Sequence, residues 1–243
     1  MKVLYIVPGT LSQTELGTEE LNRRLGILRK IAPPDMKVDI GEVDEGPDSI
    51  ESFYDEYLSI PGVIKGIAKA ENDGYDGVVL GCFGDPGIIA AREMVDIPVV
   101  GPGEVSIHAA AMLGDKFSII GVGSEFNYGY IKQVRDAGLE SRLVSIKSSN
   151  LTVMDVNTNY EESKRIILKL CREAVEKDGA DSLLLGCMSM AFMDISEELS
   201  SELDIPVVNA AKVSLYNLYS LIKSKLFFSP KTYGAVKGFP RRR

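Results

Sequence analysis

Histidine is almost absent from this chain and cysteine is scarce. His108 is the single histidine, the cysteines are Cys82, Cys171 and Cys187, and no two of them stand as Cys-x-x-Cys. A zinc site needs three or four ligands of these kinds, so no metal is expected. Three cysteines in 243 residues are no disulfide framework, and free thiols favour a reducing cytoplasm. Long hydrophobic runs are missing too, for nothing approaches the roughly 20 apolar residues that cross a bilayer. The opening Met1–Val7 run starts like a signal peptide but stops at Pro8-Gly9, which suits a buried first strand. Positive charge is not in excess: 27 Lys and Arg face 35 Asp and Glu, a net charge of −8. That balance argues against nucleic acid or an anionic membrane as the main partner. The short basic tail of Lys231, Lys237, Arg241, Arg242 and Arg243 reads as a solvated or interface tail, not a nucleic-acid arm.

What the chain does contain is a long passage written twice. Asp-Gly-Tyr-Asp-Gly-Val-Val-Leu-Gly-Cys-Phe-Gly begins at Asp73, and Asp-Gly-Ala-Asp-Ser-Leu-Leu-Leu-Gly-Cys-Met-Ser begins at Asp178. Each is followed, after a helical stretch, by Ile-Pro-Val-Val. One offset relates Asp73 to Asp178, Asp76 to Asp181, Gly81 to Gly186 and Cys82 to Cys187. A repeat of this length implies two similar supersecondary units, not a solenoid.

Apolar strand-like runs alternate with helical segments throughout, the pattern of parallel α/β sheets. Strands are predicted at Val3–Val7, Lys37–Val43, Gly77–Gly81, Pro98–Gly101, Lys116–Gly121, Ser141–Lys147, Leu183–Gly186 and Val207–Asn209. Helices are predicted at Thr18–Ala32, Asp48–Leu58, Gly62–Asp73, Pro86–Met94, Glu104–Leu113, Phe126–Ala137, Tyr160–Lys177, Ser196–Leu203 and Ala211–Leu226. The expected fold is two similar parallel-sheet α/β lobes related by a pseudo-twofold axis, with the active site in the cleft between them. Residues 1–101 with 208–243 form the first lobe in this reading, and 102–207 the second.

Ligands of open parallel sheets sit beyond the carboxyl ends of the strands. Four loops qualify: Pro8-Gly9-Thr10, Gly81–Gly87, Gly121-Val122-Gly123-Ser124 and Gly186–Met190. Each carries glycine or a small hydroxyl residue near a helix start, where backbone N–H groups and the positive dipole end face an anion. Cys171 falls on an apolar helical stripe with Ile166, Ile167, Leu170, Ala174 and Val175 and reads as core. Cys82 and Cys187 each follow a glycine at the end of a central strand, where the side chain is expected in the loop crest and not the core. The amides that follow could lower a thiol pKa.

Three chemistries use such a pair. A disulfide switch leaves the anion-binding loops without a purpose. A single nucleophilic cysteine needs a base, and His108 is expected to be packed in an Ala-rich helix. Proton transfer needs two groups of similar pKa, one removing a proton from an sp³ carbon and the other returning one to the opposite face. A repeated half supplies that equivalence.

At these residues the chain resembles the aspartate/glutamate/hydantoin racemase superfamily, most closely its hydantoin/allantoin racemase branch. The resemblance rests on Gly81-Cys82-Phe83-Gly84-Asp85-Pro86-Gly87 with Ala90-Ala91-Arg92-Glu93, on Pro98-Val99-Val100-Gly101, on Ala110–Phe117 and on Leu185-Gly186-Cys187-Met188-Ser189-Met190. It implies a racemase or epimerase that needs no cofactor, with Cys82 and Cys187 as catalytic proton-transfer groups. Substrate binding is assigned to Phe83, Gly84, Gly123, Ser124, Met188 and Ser189, with Pro8, Gly9 and Thr10 in the first loop. The branch opens that loop with Asn-Pro-Asn, where this chain has Val7-Pro8-Gly9, so two amide side chains are missing. The expected substrate is a small molecule, a 5-substituted hydantoin or related ureide. Aspartate/glutamate-type racemases, maleate-type cis–trans isomerases and a non-catalytic binding protein of the same fold are the alternatives. Two cysteines disfavour an arylmalonate-type decarboxylase, which keeps only the second. A homo-oligomer is the default for an enzyme of this size.

Overall fold

The continuous apolar runs form parallel strands, as fully covered sheets require. The computed structural model describes residues 1–234 and 236, so Lys237 and Arg241–Arg243 of the basic tail lie outside the described residues. Along the first half the elements are β1 (Lys2–Val7), α1 (Gly17–Ile31), β2 (Lys37–Glu42), α2 (Phe53–Asn72), β3 (Gly77–Leu80), α3 (Ile88–Met94) and β4 (Val99–Val100). The second half runs α4 (Pro102–Leu113), β5 (Phe117–Gly121), α5 (Asn127–Asp136), β6 (Leu143–Ser148), α6 (Val153–Thr158), α7 (Tyr160–Glu176), β7 (Ser182–Leu185), α8 (Met188–Ala191), α9 (Ser196–Leu203) and β8 (Val207–Val208). Helix α10 (Ala210–Lys223) follows.

The strands make two four-stranded sheets, β2-β1-β3-β4 and β6-β5-β7-β8, parallel throughout. Their orders are the same, so the repeated passage supplies the same central strand, β3 or β7, to each. The chain divides into two compact units. The first holds Met1–Ile50, Tyr54–Pro102 and the described residues from Ser214 to Gly234, and the second holds Glu51–Phe53 and Gly103–Val213. In the first unit Ile6, Val63, Ile67, Val78, Leu80 and Val99 share a core. Leu218 and Ile222 of α10 approach Gly77 so closely that a Cβ there would lie 2.7 Å from Leu218 Cδ1. In the second, Ile120, Ile167, Cys171, Leu183, Leu185 and Leu199 share another, and Ser182 Oγ donates to the Ala110 carbonyl of α4 at 2.9 Å.

Three local expectations need correction. Residues 48–52 are not helical, and the two segments expected on either side of Pro61 are one helix, α2. Proline inside a helix loses a hydrogen bond and crowds the preceding turn, a cost of about 3 kcal/mol, but Val63, Ile67 and Ala70 just beyond it are buried. That apolar contact outweighs the local defect. A further helix, α6, occupies the stretch between β6 and α7. Thr152 and Asp155 form a reciprocal capping box at its start, a Thr-x-x-acid signal visible in the sequence. His108 is exposed, because α4 buries Ser106, Ile107 and Ala110 and turns residue 108 outward. Its Nδ1 lies 2.8 Å from the Glu104 carbonyl oxygen.

Among the described residues no helix is long and apolar enough to cross a membrane. Among them, too, no cluster of three His, Cys, Asp or Glu side chains could hold a metal ion.

Candidate active site in two cysteine loops

In the first unit, β1 and β3 are neighbours with Ile6 opposite Leu80. The ladder runs one residue further, the Gly81 amide donating to the Ile6 carbonyl at 2.7 Å. A Cβ at Gly81 would lie 2.6 Å from that oxygen and 2.8 Å from Tyr5 Cε1. Only glycine fits, and the chain is then free to turn at Cys82. The Cys82 side chain is half-buried, and its Sγ accepts a hydrogen bond from the Gly84 amide at 3.4 Å. The Asp85 amide donates to the Cys82 carbonyl at 3.1 Å. Phe83 is buried.

Pro8-Gly9-Thr10 leaves the end of the adjacent strand β1. Thr10 is buried, with its amide donating to the Pro47 carbonyl at 3.0 Å and its hydroxyl to Asp48 Oδ1 at 3.4 Å. The first unit therefore gathers Pro8, Gly9, Thr10, Cys82, Phe83 and Gly84 at the carboxyl end of its two central strands.

The second unit repeats the device. Ile120 pairs with Leu185, and the Gly186 amide donates to the Ile120 carbonyl at 2.8 Å. A Cβ at Gly186 would lie 2.8 Å from Ile119 Cγ2 and 2.9 Å from Tyr130 Cε1. Cys187 then stands at the N-cap position of α8 without a side-chain capping hydrogen bond, and the first-turn amides of a helix, here those of Met188 and Ser189, have no partner within the helix. Gly123 and Ser124 leave the neighbouring strand β5, and Ser124 opens a short 3₁₀ turn to Phe126. Ser124 is exposed, whereas Met188 and Ser189 are buried.

Cys187 departs from the expectation of a side chain in the loop crest. It is 8% exposed and packs in the same apolar cluster as Val156, Met190 and Met193, because α6 covers this loop. The same helix supplies Asn157, whose Nδ2 donates to Ser189 Oγ at 3.1 Å and to the Val153 carbonyl at 2.7 Å. Tyr130 of α5 is the other residue that sequence reasoning missed. Its ring is buried, and its hydroxyl donates to the Gly186 carbonyl at 2.9 Å. Nothing in the helical pattern around residue 130 distinguished this tyrosine from ordinary core.

Cys171 is fully buried, and desolvation pushes its thiol up to about 12. Neutral at any ordinary pH, it is a packing residue. The remaining two cysteines occupy equivalent places, each one residue past a glycine that closes a central strand against its neighbour. Such a loop offers a thiol and backbone N–H groups to the same small volume, a set suited to moving a proton beside an atom that gains negative charge.

Comparison with known proteins agrees with this architecture. The family model described as Asp/Glu/Hydantoin racemase matches residues 14–215. A hydantoin racemase from Pseudomonas sp. (strain NS671) is 35% identical, the alignment covering 99% of this chain and 98% of that protein. A hydantoin racemase from Paenarthrobacter aurescens is also 35% identical, over 73% of this chain and 75% of its own. Among solved structures, the allantoin racemase from Klebsiella pneumoniae superposes with a TM-score of 0.89 at 25% identity, covering 97% of this chain and 94% of that one. The chain belongs to the Asp/Glu/hydantoin racemase family, on its hydantoin/allantoin side, and is an isomerase.

Proposed function

We propose that this isomerase racemises a 5-substituted hydantoin or a related cyclic ureide by a two-base mechanism in which Cys82 and Cys187 are the proton-transfer groups. The observation that carries the reading is the repeated Gly-Cys step at the ends of β3 and β7, with the same backbone closure in each unit. One cysteine, as thiolate, takes the proton from the stereogenic carbon and becomes a thiol. The electron pair moves into the adjacent carbonyl to give an enolate. The other cysteine, as thiol, protonates the opposite face of that carbon and becomes a thiolate. The net change is inversion, with roles exchanged for the return direction, so no cofactor is consumed.

A ureide ring suits these loops better than a free amino acid. The ring proton is more acidic than the α-proton of a zwitterion, and the enolate oxygen needs only hydrogen-bond donors. The backbones of Phe83, Gly84, Met188 and Ser189 serve that role, and Pro8, Gly9, Thr10, Gly123 and Ser124 line the substrate. One preorganised donor of this type is worth about 3–4 kcal/mol in a comparable enzyme. No Lys or Arg stands in these four loops to pair a substrate carboxylate. Two working thiols suit a reducing cytoplasm, and a homo-oligomer is the proposed assembly.

The test is a polarimetric assay of single enantiomers of 5-substituted hydantoins and allantoin beside aspartate and glutamate. Loss of rotation with the ureides alone is the expected result. Efficient racemisation of aspartate or glutamate with the ureides untouched would overturn the substrate while leaving the cysteine mechanism standing.

A further inference from the structure

We infer that Asp85 and Asn209 are a matched pair of positioning residues, each tying one cysteine loop to the end of the strand beside it. The inference rests on the reading of Cys82 and Cys187 as the proton-transfer groups. Ile97-Pro98-Val99-Val100-Gly101 and Ile205-Pro206-Val207-Val208-Asn209 match residue for residue until the last position. At that position one unit has a side chain and the other has none.

In the second unit Asn209 is buried and works in two directions. Its Nδ2 donates to the Ala191 carbonyl at 3.0 Å, and Ala191 in turn donates its amide to the Cys187 carbonyl at 3.1 Å. Its Oδ1 accepts from the amides of Ala211 and Lys212 at 3.0 and 3.1 Å, capping α10. One side chain thus fixes the turn after Cys187 to the start of the next helix.

In the first unit the connection is made from the opposite side. A Cβ at Gly101 would lie 2.4 Å from Asp85 Cγ and 2.6 Å from each carboxylate oxygen. The Asp85 carboxylate therefore fills the space that a side chain on residue 101 would take. Asp85 also donates its amide to the Cys82 carbonyl, as Ala191 does to that of Cys187. Gly101 does not adopt a positive φ, whereas Asp85 does, at 53°. Glycine at 101 is thus required for space and not for conformation. Aspartate tolerates positive φ better than most residues, and at Asp85 the carboxylate comes to lie against Gly101.

The reciprocal arrangement can be tested by exchange. Asp85→Gly removes the carboxylate without straining the backbone, Gly101→Asn adds the side chain found at 209, and the double variant rebuilds the second unit's arrangement in the first. Each single change is expected to lower kcat by about 10- to 100-fold, the scale of a small misplacement, with KM little altered and with slower alkylation of Cys82 by iodoacetamide at neutral pH. The double variant is expected to recover both, because the added side chain and the removed one compete for one space. Losses that simply add in the double variant, or singles with wild-type kcat and Cys82 alkylation, would overturn the inference.

Asn209→Asp gives an independent arm. It keeps the acceptor that caps α10 and loses the donor to Ala191, leaving that buried carbonyl unpaired, so the melting temperature should fall and Cys187 alkylation in the folded protein should slow. Unchanged Cys187 alkylation would contradict its role. The alkylation rates report loop geometry whether or not the thiols are catalytic. Failure of the functional reading, seen as racemisation by Cys82→Ser, is therefore distinguishable from failure of this inference.

Discussion

The hydroxyl of Tyr130 donates to the carbonyl of Gly186 at 2.9 Å, which places a buried side chain of α5 directly on the residue that precedes Cys187. Its ring also lies where a Cβ on Gly121 or Gly186 would have to go, so one tyrosine sets the spacing of both loops of the second unit. Phe126 packs edge-on against it with centroids 5.5 Å apart. The loop after β7 is therefore defined by its neighbours in space as much as by its own sequence.

Tyr130→Phe keeps the ring and leaves the Gly186 carbonyl without this donor. Leaving a buried polar group unpaired costs about 1–3 kcal/mol. The urea midpoint should fall with the m-value unchanged, and kcat should fall further than that loss of stability explains. A midpoint equal to that of the wild type would show that the hydrogen bond contributes nothing.

Gly81→Ala and Gly186→Ala place a methyl group against neighbours with no room for it. At Gly81 the nearest atom is a backbone oxygen, so the strand end itself must move. Overpacking of this kind costs about 1–3 kcal/mol, and the following cysteine moves with the strand. Both variants should remain folded by circular dichroism and lose most racemase activity. Gly138→Ala is the contrasting control for the opposite balance: residue 138 has φ 71° and no neighbour within 4 Å, so strain there should lower stability while activity per folded molecule persists.

Asp155 ties stability to acid pH. The Thr152 amide, then the Thr152 hydroxyl, hold its carboxyl below the ordinary value of 3.8. A depressed folded-state pKa contributes stability above the unfolded value and loses it as pH falls from there through the folded value. Thr152→Ala removes the hydroxyl partner and also the N-cap acceptor. The difference in melting temperature between wild type and variant should be constant near neutral pH and shrink below about pH 4. A difference that grows on acidification has the wrong sign and would refute the coupling.

Cys171 should resist labelling. A thiol raised to about 12 by burial stays protonated and screened, so mass spectrometry after iodoacetamide at pH 8 should find it unmodified until denaturant is added. Cys171→Ala should retain activity. Modification of Cys171 in the native state would contradict its place in the core.

Much of this was legible in the sequence because of how parallel sheets are built. Gly77–Leu80 and Ser182–Leu185 are buried on both faces, so they read as unbroken apolar runs, and the repeat revealed that they are equivalent. The cysteines stood out because they recur at one offset past those runs. What was illegible depends on contacts between distant segments. Pro61 predicts a break when read alone, yet the buried residues beyond it keep α2 whole. His108 lies in an apolar stretch, but which face of α4 meets the sheet is settled by Ile107 and Ala110. The burial of Cys187 follows from α6, a helix only six residues long whose capping box was the only local sign. Tyr130 and Asn157 reach the second loop from other elements, and no spacing along the chain encodes that.

The central claim is that Cys82 and Cys187 act on opposite faces of one carbon, and deuterium uptake in the single serine variants tests it most directly. Incubated in heavy water with each enantiomer of a 5-substituted hydantoin, the wild type should exchange the ring proton and invert both. Cys82→Ser and Cys187→Ser should each lose racemisation by at least about 10²–10⁴-fold, the usual scale of a lost general acid or base. Each should still exchange deuterium into one enantiomer without inverting it, and the two variants should choose opposite enantiomers. Racemisation at wild-type rates by either variant, or exchange by both variants in the same enantiomer, would contradict the mechanism.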